Sequence, residues 1–237
     1  MSLNFQELDS QPTAIGELSL RKRRISILAD IDIYEIKLND EYLMSSLFHE
    51  AEDQLATLAL KELDTGQPLD VVVGGLGLGY TAVSALQFKN LNLLNVVEYL
   101  PAIIEWHQKE LVPMGSVLKK DPRCHFVQGD FFALNQGTGF DPATPNKKFD
   151  SILLDIDHKP DHWLHPNNRS FYSEQGLQNI KRHLRKEGVF ALWADGKPQE
   201  KFEVLLRRIF KNVTSHSIEF ENPITQNTSF GTVYTAR

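Results

Sequence analysis

The stretch Val71-Val72-Val73-Gly74-Gly75-Leu76-Gly77-Leu78-Gly79-Tyr80 constrains the fold of this chain more than any other. A β-branched run stops at four glycines, and helix-compatible residues from Thr81 to Phe88 follow. That pattern is a strand feeding a tight turn into a helix, where glycine lets the backbone come close to a ligand. The N–H groups that open such a helix point at whatever the turn holds. Nineteen residues beyond Gly79, a second apolar run ends in Glu98. An acid at that distance, on the tip of the neighbouring strand, is placed to bind ribose hydroxyls. Together the two features point to a ligand that contains a nucleoside.

The surrounding rhythm supports this. Strands are expected over Leu69–Val73, Leu93–Glu98, His125–Gln128, Phe149–Asp155 and Gly188–Trp193, alternating with helices over Tyr80–Phe88, Pro101–Leu111, Glu174–Arg185 and Pro198–Lys211. Alternation with fully apolar strands is the mark of a parallel sheet covered on both faces. The tail breaks the rhythm, since Val213–Glu221 and Ser229–Ala236 are two strands with no helix between them. A mostly parallel seven-stranded sheet closed by a terminal antiparallel pair resembles the class I methyltransferase fold, a Rossmann-like plan. Before it, Ile25–Leu28 and Ile31–Leu38 read as short strands. Residues 1–20 show no clear period, and Ser45–Leu63 carries an apolar residue every fourth position, as in a helix. The expected division is a small N-terminal β-hairpin extension, 1–43, and a Rossmann-like catalytic domain, 44–237.

Composition narrows the function classes. With 237 residues and a net charge of −6, the chain has no general basic face for phosphate neutralisation, which argues against nucleic acid. Its one basic run, Arg21-Lys22-Arg23-Arg24, reads as a solvated strand edge. Cys124 is the single cysteine, so no internal disulfide is possible, and it reads as a buried, inert thiol. The first residues lack the pattern of a signal peptide, and no apolar stretch is long enough to span a bilayer, so the expected location is the cytoplasm. A Gly-x4-Gly-Lys-Ser/Thr loop and a Gly-x-Ser-x-Gly elbow are both missing, which argues against nucleotide hydrolysis and against an α/β-hydrolase.

In a doubly wound sheet the strand tips converge on one crevice. Here they supply Gly74, Gly75, Gly77 and Gly79, then Glu98, then Asp130, then Asp155 followed by Asp157. Glu98 is expected on the ribose diol and Asp130 on the adenine amino group, with helix capping as the alternative reading of Asp130. The loop from Asp155 to His165 is dense in carboxylates and imidazoles. His158, Asp161 and His162 are apt metal ligands by type, but their spacing fits no metal motif, so no metal is expected. The preferred reading is an anionic pocket for a cationic amine, with Asp155 taking its proton or aligning its lone pair, Asp157 or Asp161 as counter-charge, and Trp163 either covering the pocket or packing against the sheet edge.

Several segments together resemble the spermidine synthase-like (polyamine aminopropyltransferase-like) branch of the S-adenosylmethionine fold. They are Leu47-Phe48-His49-Glu50, the Val73–Gly79 turn, Val97-Glu98, Asp121-Pro122-Arg123, Gly129-Asp130, Phe149–Asp155 and Phe171-Tyr172, and they span most of the chain. The resemblance implies a co-substrate of S-adenosylmethionine type, intact or decarboxylated, and a small-molecule amine acceptor. It implies Glu98 and Asp130 on the nucleoside, Asp155 deprotonating the amine, His49 over the site, and a homodimer formed through the N-terminal strands. Two departures stand out. The family carries an acid inside the glycine loop where this chain has Leu76 or Leu78. It also reads Asp-Ser-Ser-Asp-Pro where this chain has Asp155-Ile156-Asp157-His158-Lys159-Pro160. Aminopropyl transfer to an amine such as putrescine is therefore the leading expectation. Methyl transfer to a small molecule is the second, and non-catalytic nucleoside binding the third.

Overall fold

The computed structural model describes residues 4–25, 31–63 and 66–237. Its centre is a seven-stranded sheet. The strands are β5 (Leu69–Gly74), β6 (Leu91–Glu98), β7 (Cys124–Gln128), β8 (Phe149–Leu154), β9 (Leu184–Asp195), β10 (Val213–Asn222) and β11 (Asn227–Ala236). They lie in the order β10-β11-β9-β8-β5-β6-β7. Strands β5 to β9 pair in parallel, while β11 runs antiparallel to both β9 and β10. The chain leaves β5 towards β6 and β7, then returns to β8 on the other side. Strand order therefore reverses at the carboxyl end of β5, the point where α/β sheets open a crevice.

Helices cover both faces. They are α1 (Glu50–Lys61), α2 (Tyr80–Leu86), α3 (Pro101–Gln108), α4 (Gly115–Lys120), α5 (Phe131–Gln136), α6 (Glu174–His183) and α7 (Glu200–Ile209). The continuous apolar run of β5 splits between two cores by strand alternation: Val71 and Val73 face α1 to α4, and Val72 faces the other layer. That second layer is rich in phenylalanine, with Phe131 stacked on Phe140 at 4.6 Å. Burying each such ring contributes about 1.5–3 kcal/mol. Phe140 belongs to the stretch between α5 and β8, and its buried ring anchors that loop in the core.

The N-terminal extension is larger than a hairpin. Strands β1 (Phe5–Thr13), β2 (Gly16–Arg24), β3 (Asp32–Leu38) and β4 (Glu41–Ser45) form a four-stranded antiparallel sheet. Residues 1–20 carry no clear period because β1 is a mostly exposed edge strand, which also tolerates Pro12. The strand expected over Ile25–Leu28 falls, apart from Ile25, outside the described residues. The basic run lies on β2, an interior strand rather than an edge. Its charges are matched across the sheet: Lys22 to Asp32 at 2.6 Å, Arg23 to Glu35 at 2.6 Å and Arg21 to Glu7 at 3.5 Å. The helix expected from Ser45 begins only at Glu50, because Glu41–Ser45 pairs with β3.

This sheet packs on the Rossmann-like core. Trp106 of α3 donates its indole N–H to Asp9 at 2.6 Å, and the Leu78 N–H meets the Met44 sulfur at 3.1 Å. Cys124 is half-buried at the start of β7, and burial pushes its thiol up to about 12, where it is inert at neutral pH. Among the described residues, no helix is long and apolar enough to cross a membrane.

Candidate active site

The carboxyl ends of β5, β6, β7 and β8 open into a cavity of about 200 Å³, roofed by Ile36 and Leu38 of β3 and by Leu43 and Met44 of β4. The glycine turn forms its floor. Gly75 has φ +94, and a Cβ there would lie 2.0 Å from the Asp155 carbonyl oxygen. Only glycine allows that contact, which lets the tips of β5 and β8 close together through an Asp155 N–H to Gly74 O bond of 2.8 Å. Gly75 and Gly77 face the cavity. Gly74 and Gly79 serve the packing of helices instead, because Cβ atoms there would strike Phe131 and the Leu118–His107 pair.

Glu98 is buried at the end of β6. Its Oε2 accepts from the Leu76 N–H at 3.0 Å and its Oε1 from the Leu100 N–H at 2.8 Å. One carboxylate thus ties the glycine turn to the start of α3 and still borders the cavity. Burial raises its pKa, and the backbone donors oppose that rise. His107, further along α3 and fully buried, holds the turn from the other side through Nε2 and the Gly77 carbonyl at 2.9 Å. Burial lowers its pKa to about 4, so the ring is neutral and donates to that carbonyl. Asp130 borders the cavity and also caps α5, with Oδ1 accepting from Phe132 N at 2.8 Å and Ala133 N at 3.2 Å.

Asp155 follows β8 and accepts from Thr81 Oγ1 at 2.7 Å. Burial raises its pKa to about 6, against the lowering effect of Thr81. Glu52 of α1, which the sequence did not single out, borders the same cavity. Burial, then the Asp155 charge, drives the Glu52 pKa well above the ordinary carboxylate range. Thr81 touches both residues, since its hydroxyl also lies 3.3 Å from the Glu52 carbonyl.

Other expected site residues lie behind the cavity. Asp157 is buried and accepts from Leu164 N, Asn168 Nδ2 and the Tyr172 hydroxyl at 2.8, 2.8 and 2.9 Å, which fixes the fold of the loop after β8. His49 precedes α1, pairs with Asp53 at 2.7 Å and stacks on Tyr80 at 3.9 Å. The Asp53 hydrogen bond raises its pKa. Trp163 donates to the Pro160 carbonyl, and Asp161 accepts from Gln199. His158 does reach the cavity, and its Nε2 lies 3.2 Å from Glu41 of the N-terminal sheet. Among the described residues, no three His, Cys, Asp or Glu side chains are arranged to hold a metal ion.

The charge balance of the two sheet ends differs. At the amino ends of β5 and β8, Asp70 and Asp150 share Arg185, and Lys147 lies 3.4 Å from Asp70. At the carboxyl ends, Glu52, Glu98, Asp130 and Asp155 border one cavity whose described lining contains no lysine or arginine. Four carboxylates left without a cation, in an apolar, partly closed space, make a receptor for positive charge.

The architecture and this crevice define a class I methyltransferase-like fold carrying an N-terminal β-sheet. Spermidine synthase from Thermotoga maritima has that fold: it superposes with a TM-score of 0.71 at 17% identity, covering 97% of this chain and 72% of the other. A spermidine synthase in complex with the transition-state analogue AdoDATO gives the same TM-score and identity, covering 97% and 73%. Human methyltransferase-like protein 13, in complex with SAH, superposes with a TM-score of 0.53 at 20% identity over 79% of this chain and 77% of its own. In sequence, the chain is similar to a polyamine aminopropyltransferase of Oceanobacillus iheyensis, 22% identical over 241 aligned positions that cover 98% of this chain. It spans 43% of that relative's length. No family profile matches the chain.

Proposed function

We propose that this protein transfers an aminopropyl group from decarboxylated S-adenosylmethionine to a small amine such as putrescine. The observation that carries the reading is the cavity bordered by four carboxylates and no lysine or arginine, set on a glycine turn at the switch point of the sheet. Both reactants of such a transfer are cations, one a sulfonium and one an amine, and both gain from that field. The similarity to spermidine synthases in fold, and to a polyamine aminopropyltransferase in sequence, supports the same assignment.

In this reading Gly75, Gly77 and Glu98 seat the nucleoside, and Asp130 borders its base. Asp155 accepts a proton from the amine as nitrogen attacks the carbon beside sulfur. The carbon–sulfur bond breaks, its electron pair stays on sulfur, and neutral methylthioadenosine leaves. Positive charge moves from sulfur to nitrogen during the step, so a carboxylate fixed beside nitrogen stabilises the transition state. Thr81 orients Asp155 for this role.

Incubation with the decarboxylated donor and putrescine, followed by mass spectrometry, tests the assignment. Methylthioadenosine and spermidine are the expected products. S-adenosylhomocysteine formed from intact S-adenosylmethionine, with no turnover of the decarboxylated form, would replace it with methyl transfer.

A further inference from the structure

We infer that Glu52 is the charge-selecting residue of the donor site: it receives the ammonium at the end of the donor's propyl arm and turns away the same arm carrying a carboxylate. The inference rests on the reading of the cleft as a donor site and names the residue that decides which donor enters.

Three observations place Glu52 in that role. First, α1 has three acids in its opening turn, Glu50, Glu52 and Asp53. Acids there complement the helix dipole, and solvated ones suffice for that purpose. Glu50 is exposed and bonds the His49 backbone N–H, and Asp53 is engaged by His49. Glu52 alone of the three borders the cavity.

Second, nothing in the described protein neutralises it. Neither Glu52 nor Asp155 forms an ion pair with a described lysine, arginine or histidine, and Asp155 receives one hydroxyl hydrogen bond, from Thr81. Two carboxylates withdrawn from water and facing one space repel each other unless a cation or a proton sits between them. An ammonium relieves that repulsion, and a further carboxylate adds to it.

Third, Glu52 and Asp155 border the same cavity and Thr81 links the two positions. Glu98 and the glycine turn fix one end of the cavity, and Asp155 stands at the tip of β8 beside Gly75. Glu52 comes from α1, on the far side of Thr81, whose hydroxyl sits between Asp155 and the Glu52 backbone. The inferred path takes a propyl arm from the glycine turn past Asp155 to Glu52, all of which border the one cavity. Decarboxylated and intact S-adenosylmethionine differ by one carboxylate at that end of the arm, so a carboxylate fixed there separates them by charge.

The test is calorimetric titration of the full chain and its Glu52→Gln variant with three ligands: the decarboxylated donor, intact S-adenosylmethionine and methylthioadenosine. The wild type is expected to bind the decarboxylated donor at least about tenfold tighter than the intact one, the scale set by like-charge juxtaposition. Glu52→Gln is expected to reduce that ratio by at least about tenfold while leaving methylthioadenosine, which has no charge there, within about twofold of wild type. A loss of fold would weaken all three ligands together and leave the ratio unmoved. If Glu52→Gln loses methylthioadenosine binding as well, Glu52→Ala, which removes the charge without leaving an amide in the cavity, reads the same ratio. An unchanged ratio in a variant that still binds methylthioadenosine overturns the inference, as does a rise in the KM for the amine acceptor alone. Wild-type protein that binds none of the three ligands overturns the donor-site reading itself, and the role of Glu52 with it.

Discussion

Asp155 is a carboxylic acid kept from full ionisation by its own surroundings, and that condition sets both its reactivity and its cost. With a pKa raised to about 6 it is ionised at pH 8 and largely protonated at pH 5. The kcat/KM is expected to rise with pH through about 6, because the proton acceptor of the free enzyme must be the carboxylate. Stability moves the other way. A carboxyl group whose folded pKa lies above its unfolded value stabilises the fold below about 4 and loses that contribution as pH rises through about 6. Asp155→Asn is therefore expected to gain about 1.4 kcal/mol of unfolding free energy at pH 8 relative to pH 5, compared with wild type, as read by urea denaturation. The same variant should lose at least about a hundredfold in turnover while still binding methylthioadenosine. Full turnover in Asp155→Asn would remove it from the mechanism. Gly75→Ala places a methyl group on the Asp155 carbonyl at a φ of +94, and a cost of at least about 2 kcal/mol is expected in the same denaturation experiment.

At the scale of elements, the glycine turn is held from both sides, by Glu98 from β6 and by His107 from α3. His107 is depressed to about 4, so its contribution is complete above about 6.5 and is lost as pH falls from there towards 4. His107→Gln, which cannot titrate, is expected to flatten the acid limb of the stability curve by about 3 kcal/mol between those values. A curve that falls as steeply as wild type would show that His107 is not the titrating group. Such supports were hard to read in the sequence, whereas the strands they serve were plain. The runs ending at Gly74, Glu98 and Leu154 are apolar on both faces, and burial on both faces leaves that signature in any parallel sheet. Glu98 was legible because a glycine turn and an acid on the next strand form a spaced pair. Glu52 was not, because an acid in the first turn of a helix has an ordinary explanation in the helix dipole. Asp157 was legible as an acid in an acidic loop, yet that pattern cannot distinguish an acid facing substrate from one that accepts Leu164, Asn168 and Tyr172 and holds the loop together.

For the molecule as a whole, the N-terminal sheet and the Rossmann-like core make one cavity between them. Its strand β1 escaped sequence reading because an exposed edge strand carries little apolar periodicity, and the wall formed by β3 and β4 depends on packing between distant segments. Met44 shows the connection: it roofs the cavity and meets the Leu78 N–H of the glycine turn. Met44→Ala is expected to lower Tm by about 4–10 °C through about 2–3 kcal/mol of lost packing, and to weaken methylthioadenosine binding about tenfold. Unchanged ligand affinity would make the sheet an appendage rather than a wall. The acids gathered at the switch point are proposed to divide one cleft between a nucleoside and an amine. A crystal structure with methylthioadenosine and putrescine bound tests it most directly. Ribose hydroxyls are expected on Glu98, the thioether sulfur over Gly75 and Gly77, and a putrescine nitrogen within hydrogen-bond distance of Asp155. A nucleoside seated away from Glu98, or an amine that never reaches Asp155, would contradict it.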